Sequence, residues 1–248
     1  MSIEIEELTK RFGAKTAVHG LTLRAKAGEL YAFLGPNGAG KTTTIKVITG
    51  LLRPTSGTVR VCGFDVCTDG MNARRHISYV PDQPFLYEKL SGREFLLFVA
   101  RMYRMDPAAS ARRIEELAKQ FGTAEYLDDL AESYSHGMKQ RVVITAAILH
   151  EPKVLVVDEP MVGLDPRSAR LFKDVLREMV RDGVCVFMCT HTLSIAEEVA
   201  DRIGIINSGS LVAEGTVDEL RSRGHTSDKL EDIFLTLTRE EGVAPEPE

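Results

Sequence analysis

Gly35, Pro36, Asn37, Gly38, Ala39, Gly40, Lys41 and Thr42 follow one another without a break and satisfy G-x-x-x-x-G-K-[ST] at every required position. That spacing suits one chemistry. The glycines permit a turn tight enough to aim successive backbone N–H groups at phosphate oxygens, the lysine adds a point charge for the β- and γ-phosphates, and the threonine hydroxyl is placed to ligate Mg²⁺. The flanks agree with it. The run at 30–34 is short and apolar, as a buried strand would be, and Thr43 to Thr49 continues as a helix whose N-terminus favours an anion, with Gly50 as its stop. The expected ligand is a nucleoside triphosphate.

Three further apolar runs end in polar residues. The run at 154–157 leads into Asp158 and Glu159, that at 184–189 into Thr190 and His191, and that at 77–80 into Pro81, Asp82 and Gln83. Apolar runs without alternation suit the strands of a parallel sheet covered on both faces, and ligands of such sheets sit beyond the carboxyl ends of the strands. The phosphate-binding loop, a carboxylate pair, a histidine and an Asp-Gln pair should therefore meet at one edge. Phosphoryl transfer to water needs charge neutralisation and an aligned nucleophile. Lys41 and the backbone of Gly38 to Thr43 are expected to hold the phosphates, Thr42 to ligate Mg²⁺ with Asp158 supporting it through water, and Glu159 to position and polarise the attacking water.

The segment Tyr134-Ser135-His136-Gly137-Met138-Lys139-Gln140-Arg141 resembles the signature motif of ATP-binding cassette (ABC) ATPases, usually L-S-G-G-Q, in a variant found in many export-type subunits. Its place between Asp82-Gln83 and Asp158-Glu159 is the family's order. Gly163-Leu164-Asp165-Pro166 resembles the D-loop and His191 the switch histidine, and the resemblance runs from about residue 3 to 220. No guanine-reading N-K-x-D is present. The resemblance implies an ATP hydrolase with an α/β fold: a P-loop core with a mainly parallel sheet, an N-terminal antiparallel β subdomain and an inserted helical lobe. It implies that Phe12 stacks on adenine, and that His191 bonds the γ-phosphate and links it to Glu159 or to the facing subunit. It also implies that two cassettes, identical or not, pack head to tail around two ATP, Ser135 and Gly137 of each capping the γ-phosphate held by the other and Asp165 adding to the nucleotide site. His136 and Met138 depart from the commoner Gly and Gln. The family's Q-loop glutamine falls by spacing on Asp82, with Gln83 one residue later, and either could approach Mg²⁺ or the water.

The chain has 248 residues, enough for one large α/β domain with an inserted lobe, expected over 1–225 with the lobe at about 84–150. No window approaches a membrane span, and the acidic, alternating start is unlike a targeting segment. A net charge of −5, from 31 basic and 36 acidic residues, argues against a nucleic-acid partner or a polybasic anchor. Cys62, Cys67, Cys185 and Cys189 fit a reducing cytosol and lack zinc spacing. The work of hydrolysis should thus pass to a separate transmembrane permease, placing the chain in the cytoplasm, peripheral on the inner face of the cell membrane. The resemblance leans to the drug-resistance and lipid or polysaccharide exporters. A nutrient-importer subunit, a soluble ABC ATPase and a non-hydrolysing regulatory module are the rivals.

Local pattern supplies the rest. Residues 3–8 alternate as a strand with one wet face. Phe95, Leu96, Phe98, Val99 and Met102 suit one helix, and Ile114, Leu117 and Phe121 another, begun by Asp106-Pro107. Pro166 opens a helix with Asp165 as N-cap. Leu230, Ile233, Phe234 and Leu237 make a short amphipathic helix expected to pack on its own domain, before an acidic, proline-bearing end at 242–248 expected to be disordered. The stretch from Pro84 to Glu94 resembles the groove that receives a permease's coupling helix, and Leu86 and Tyr87 are the apolar side chains expected on its surface.

Overall fold

A computed structural model describes residues 1–223 and 230–238; the segment at 242–248 lies outside the described residues. The chain begins with β1 (Ile3–Phe12), β2 (Lys15–Ala25), β3 (Leu30–Leu34), α1 (Lys41–Ile48), β4 (Ser56–Val61), β5 (Phe64–Asp65), α2 (Gly70–Arg75) and β6 (Ile77–Val80). It continues with α3 (Gly92–Met102), α4 (Pro107–Gln120), α5 (His136–Ile148), β7 (Val154–Asp158), α6 (Pro166–Arg181) and β8 (Cys185–Thr190). It closes with α7 (Leu193–Val199), β9 (Arg202–Asn207), β10 (Ser210–Gly215), α8 (Val217–Arg223) and α9 (Leu230–Thr238).

Two sheets result. A four-stranded sheet runs β2-β1-β4-β5 and a six-stranded sheet β10-β9-β3-β8-β7-β6. The first is antiparallel, and in the second only the β9–β10 pairing is. The apolar runs explain this division. In β3, Leu30, Ala32 and Leu34 join a core shared with the helices, while Tyr31 and Phe33 face the antiparallel sheet and α1. The same alternation splits Leu155 and Val157 from Val154 and Val156, and Val186 and Met188 from Cys185, Phe187 and Cys189. A strand buried on both faces has little use for a polar position, so in β7 and β8 polar residues appear only where the strand ends, while the buried Ser78 inside β6 is an exception.

The inserted helices are set by their caps. Ser91 and Glu94 form a reciprocal capping box at α3, and Asp106 accepts from Ala109 N–H at α4, with Pro107 as first helical residue. Phe121 is the residue that ends α4 rather than part of it. Helix α9 packs against α7, α8 and β9, with Leu230 and Ile233 buried, so its apolar face is covered by its own chain.

Beyond α5, His150 ties that helix to β6. Its ring stacks on Tyr103 at 3.5 Å between centroids, and Nε2 lies 3.4 Å from Ser78 Oγ. Burial pushes its pKa down from 6.5 to about 4. The unfolded chain therefore takes up a proton near pH 6.5 that the folded chain refuses until about pH 4. Stability from this group is complete above about pH 6.5 and is lost as pH falls towards 4, with a slope of at most about 1.4 kcal/mol per pH unit. His150→Gln should flatten the melting temperature against pH in that window, measured by thermal melts from pH 7.5 to 4. Parallel curves for the two proteins would contradict this account of His150.

Candidate nucleotide-hydrolysis site

The phosphate-binding loop spans the gap between β3 and α1, and the sequence gives it no freedom to do otherwise. Gly40 sits at φ 109°, where a Cβ would meet the Ala17 carbonyl. Lys41 folds back beneath the loop, and its Nζ donates to the carbonyls of Gly35 (2.6 Å) and Pro36 (3.1 Å). Ala39 N–H donates to Pro36 O at 3.2 Å. The buried ammonium thus satisfies the loop's own carbonyls, leaving the N–H groups at the start of α1 facing outwards.

A cavity of ≈ 590 Å³ opens over these groups, lined by Phe12, Lys15, Ala17, Asn37, Gly38, Gly40, Lys41, Thr42, Thr43, Asp82, Asp158 and Glu159. Its two ends differ in chemistry. At one end the Phe12 ring is 49% exposed, which excludes a core role and leaves an aromatic face open to a base. At the other, Thr42 Oγ1 donates to Asp158 Oδ2 at 3.2 Å. Burial raises the Asp158 pKa to about 6, against the Thr42 hydroxyl and Lys41, while Asp82 and Glu159 add to the rise.

Glu159 follows Asp158 directly but points elsewhere, because its φ is +47°. A non-glycine residue held there stores strain, and such positions cluster at functional sites. Three groups fix its carboxylate. Thr190 Oγ1 donates to Oε2 (3.0 Å), His191 N–H donates to Oε1 (2.9 Å), and His191 Nδ1 lies 2.7 Å from Oε1. The Nδ1–H tautomer therefore serves Glu159, and Nε2 is left for another partner on a ring 54% exposed.

Most sequence-derived candidates thus meet at one edge: Asn37, Gly38, Gly40, Lys41, Thr42, Thr43, Asp82, Asp158, Glu159 and Phe12 line the cavity, with His191 bonded to Glu159. Gly35, Pro36 and Ala39 frame the loop without lining it. Of the Asp82-Gln83 pair, Asp82 lines both this cavity and a neighbouring one, also ≈ 590 Å³, whereas Gln83 lines only the second, with Tyr134, His136, Lys139 and Glu159. Ser135, Gly137 and Asp165 do not line the nucleotide cavity of their own chain. Ser135 caps α5 by accepting from Met138 N–H at 3.3 Å, and Asp165 caps α6 by accepting from Ser168 N–H (2.9 Å) and Oγ (2.7 Å). The D-loop leans on the signature, since Gly163 has φ +79° and a Cβ there would run into the His136 ring.

Thr190, Lys15 and Ala17 were not among the sequence candidates. Thr190 was readable as the polar end of an apolar strand beside His191, whereas nothing local marks Lys15 or Ala17. One expectation fails. Leu86 is buried (5% exposed) in the helical core, because the chain turns inwards between two exposed aromatics, Phe85 (68%) and Tyr87 (48%). Those two rings sit 5.5 Å apart, and Phe98 lies 5.9 Å from Tyr87.

With this geometry in view, known proteins identify its kind. A family model described as ABC transporter matches residues 18–162. The chain is 42% identical over 221 residues to the daunorubicin/doxorubicin resistance ATP-binding protein DrrA of Streptomyces peucetius, covering 89% of this chain and 67% of that protein. It is 37% identical over 221 residues to the linearmycin resistance ATP-binding protein LnrL of Bacillus subtilis, covering 89% and 71%. A solved ATP-binding subunit of an ABC transporter superposes with a TM-score of 0.92 at 33% identity, covering 96% of this chain and all of that one. A dimeric ATP-binding cassette in a post-hydrolysis state with ADP and Pi superposes at 0.79 and 26% identity, covering 86% and 98%. The chain belongs to the ABC transporter family, and it is the family's ATP-binding, ATP-hydrolysing cassette.

Proposed function

We propose that this cassette, residues 1–225 with its helical lobe at 84–150, drives an export-type ABC transporter, pairing head to tail with a second cassette around two ATP and working on a separate transmembrane permease. Among the described residues no helix is long and apolar enough to cross a membrane. The similarity to drug-resistance subunits favours export. One observation carries the dimer: the N-terminus of α5, with Ser135 and Gly137, is a second anion-type site that does not line its own chain's nucleotide cavity.

In this reading Lys41 and the N–H groups from Gly38 to Thr43 hold the β- and γ-phosphates, and Phe12 takes the adenine. The donors beside the phosphates (the Thr42 hydroxyl and the Asp158 and Asp82 carboxylates) are all oxygens, which fits Mg²⁺ bound chiefly through substrate phosphates. When bound, Mg²⁺ neutralises charge on the phosphate oxygens. Glu159 orients a water for in-line attack on the γ-phosphorus and accepts its proton as ADP leaves. Thr190 and His191 hold that carboxylate at one angle, and His191 Nε2 reaches the γ-phosphate. Ser135 and Gly137 of the facing cassette cap the same phosphate, and its Asp165 approaches across the interface.

The test of the pairing is to mix chains carrying Ser135→Arg with chains carrying Lys41→Ala. Their heterodimer has one composite site with both lesions and one intact. Partial recovery of hydrolysis on mixing is expected. No recovery, with heterodimers shown to form, would mean that each signature serves its own chain.

Docking gives a second test. With Leu86 buried, the surface the permease meets consists of Phe85, Tyr87 and Phe98. Phe85→Asp should leave basal ATPase within about twofold, since Phe85 is exposed and does not line the nucleotide cavity, and such surface substitutions seldom change stability by more than about 0.5 kcal/mol. The same variant should fail to co-purify with the membrane partner. Unimpaired co-purification would remove Phe85 from the contact.

A further inference from the structure

We propose that Lys10 is the positioning residue of the base platform: pinned to the loop behind α1 and set over the Phe12 ring, it fixes the angle at which that ring meets adenine. This rests on the reading of Phe12 as the platform. Phe12 is the last residue of β1, half exposed, with no polar group to orient it. Lys10 lies two residues earlier, on the same face of the strand. Its ammonium is 5.0 Å from the Phe12 ring centroid and donates to Arg53 O at 2.8 Å. Among the described residues it has no carboxylate partner, so the aromatic face and the carbonyl are its two contacts.

The loop it grips leads back to the phosphates. Arg53 follows α1, and Thr55, two residues on, is fastened to β1 twice more, by Thr55 N–H donating to Thr9 O (2.8 Å) and Arg11 N–H donating to Thr55 Oγ1 (3.0 Å). The base end of the site is thereby registered against the helix that carries the phosphate-binding loop. Lys10 does not line the nucleotide cavity, so its cation leaves the cavity side of the ring to the base. A cation over an aromatic face is attracted by the ring quadrupole, and a ring already held at one angle loses less freedom when a base stacks on it.

Lys10→Met keeps the apolar stem and removes the charge. Its KM for ATP should rise about 2- to 5-fold with kcat unchanged, and Lys10→Arg should restore the parent value. The inhibition constant of tripolyphosphate, which has no base, should be the same in all three proteins. Phe12→Ala, assayed alongside, should raise KM for ATP and leave tripolyphosphate alone. If Phe12→Ala raises KM and Lys10→Met does not, the Lys10 inference fails and the platform stands. An unchanged KM in Phe12→Ala overturns both. Weaker tripolyphosphate binding in Lys10→Met would assign the lysine to the phosphates or to the fold, and also overturns the inference.

Discussion

Glu159→Gln is expected to lower kcat by about 10²- to 10⁴-fold, the range typical of a lost general base, while ATP still binds. The amide keeps the size of the carboxylate; with its oxygen towards the His191 N–H, its NH₂ can donate to the Thr190 hydroxyl, so the local frame survives. It cannot take a proton from water. It also presents one carbonyl oxygen where the parent has two, and His191 loses the charge on its Nδ1 partner. With binding intact and turnover stopped, ATP should trap the paired cassettes, visible as a doubled mass on size-exclusion chromatography. Hydrolysis within tenfold of the parent would remove Glu159 from the role of base.

Lys41→Ala should act earlier. Hydrogen bonds from a charged donor are worth about 1.5–3 kcal/mol, so nucleotide affinity should fall roughly ten- to a hundred-fold, measured by titration with a fluorescent ATP analogue. Turnover at saturating ATP should fall as well, since the charge is lost from the transition state too. A second effect comes from the empty protein. Lys41 satisfies the carbonyls of Gly35 and Pro36, and alanine leaves both without that donor in a loop whose neighbours are buried. The variant should therefore also melt lower without nucleotide. Unchanged affinity would mean that the loop does not hold phosphate as assigned.

The parts of this site legible in the sequence are those fixed by short spacing or by strand ends. Lys41 and Thr42 follow from the loop pattern. Asp158, Glu159, Thr190, His191 and Asp82 follow from apolar strands that stop, because a parallel sheet delivers those ends to one edge. Lys15 and Ala17 were not legible, since they reach the cavity only through the register of β1 against β2, where Phe12 pairs with Lys15. The misjudged exposure of Leu86 has a similar cause. Within Phe85-Leu86-Tyr87 three large apolar side chains follow one another, and no local rule says which will turn inwards; packing against the lobe decides it. The placing of Asp82 and Gln83 likewise depends on the backbone beyond β6, which brings the first to both cavities and the second only to the one beside Tyr134 and His136.

The capping of α6 has a mechanical consequence. Asp165 lies in the segment that resembles the D-loop, yet its carboxylate is taken up by the N–H and hydroxyl of Ser168, at the head of a 16-residue helix. The cap ties the loop to the head of that helix. In the proposed head-to-tail pair, a push on this loop from the facing cassette would be passed to the helix. That helix rests on β8, whose last residue, Thr190, grips the Glu159 carboxylate. On the proposed pairing, a displacement at the boundary between subunits would have a packed path to the hydrolytic carboxylate through α6 and β8.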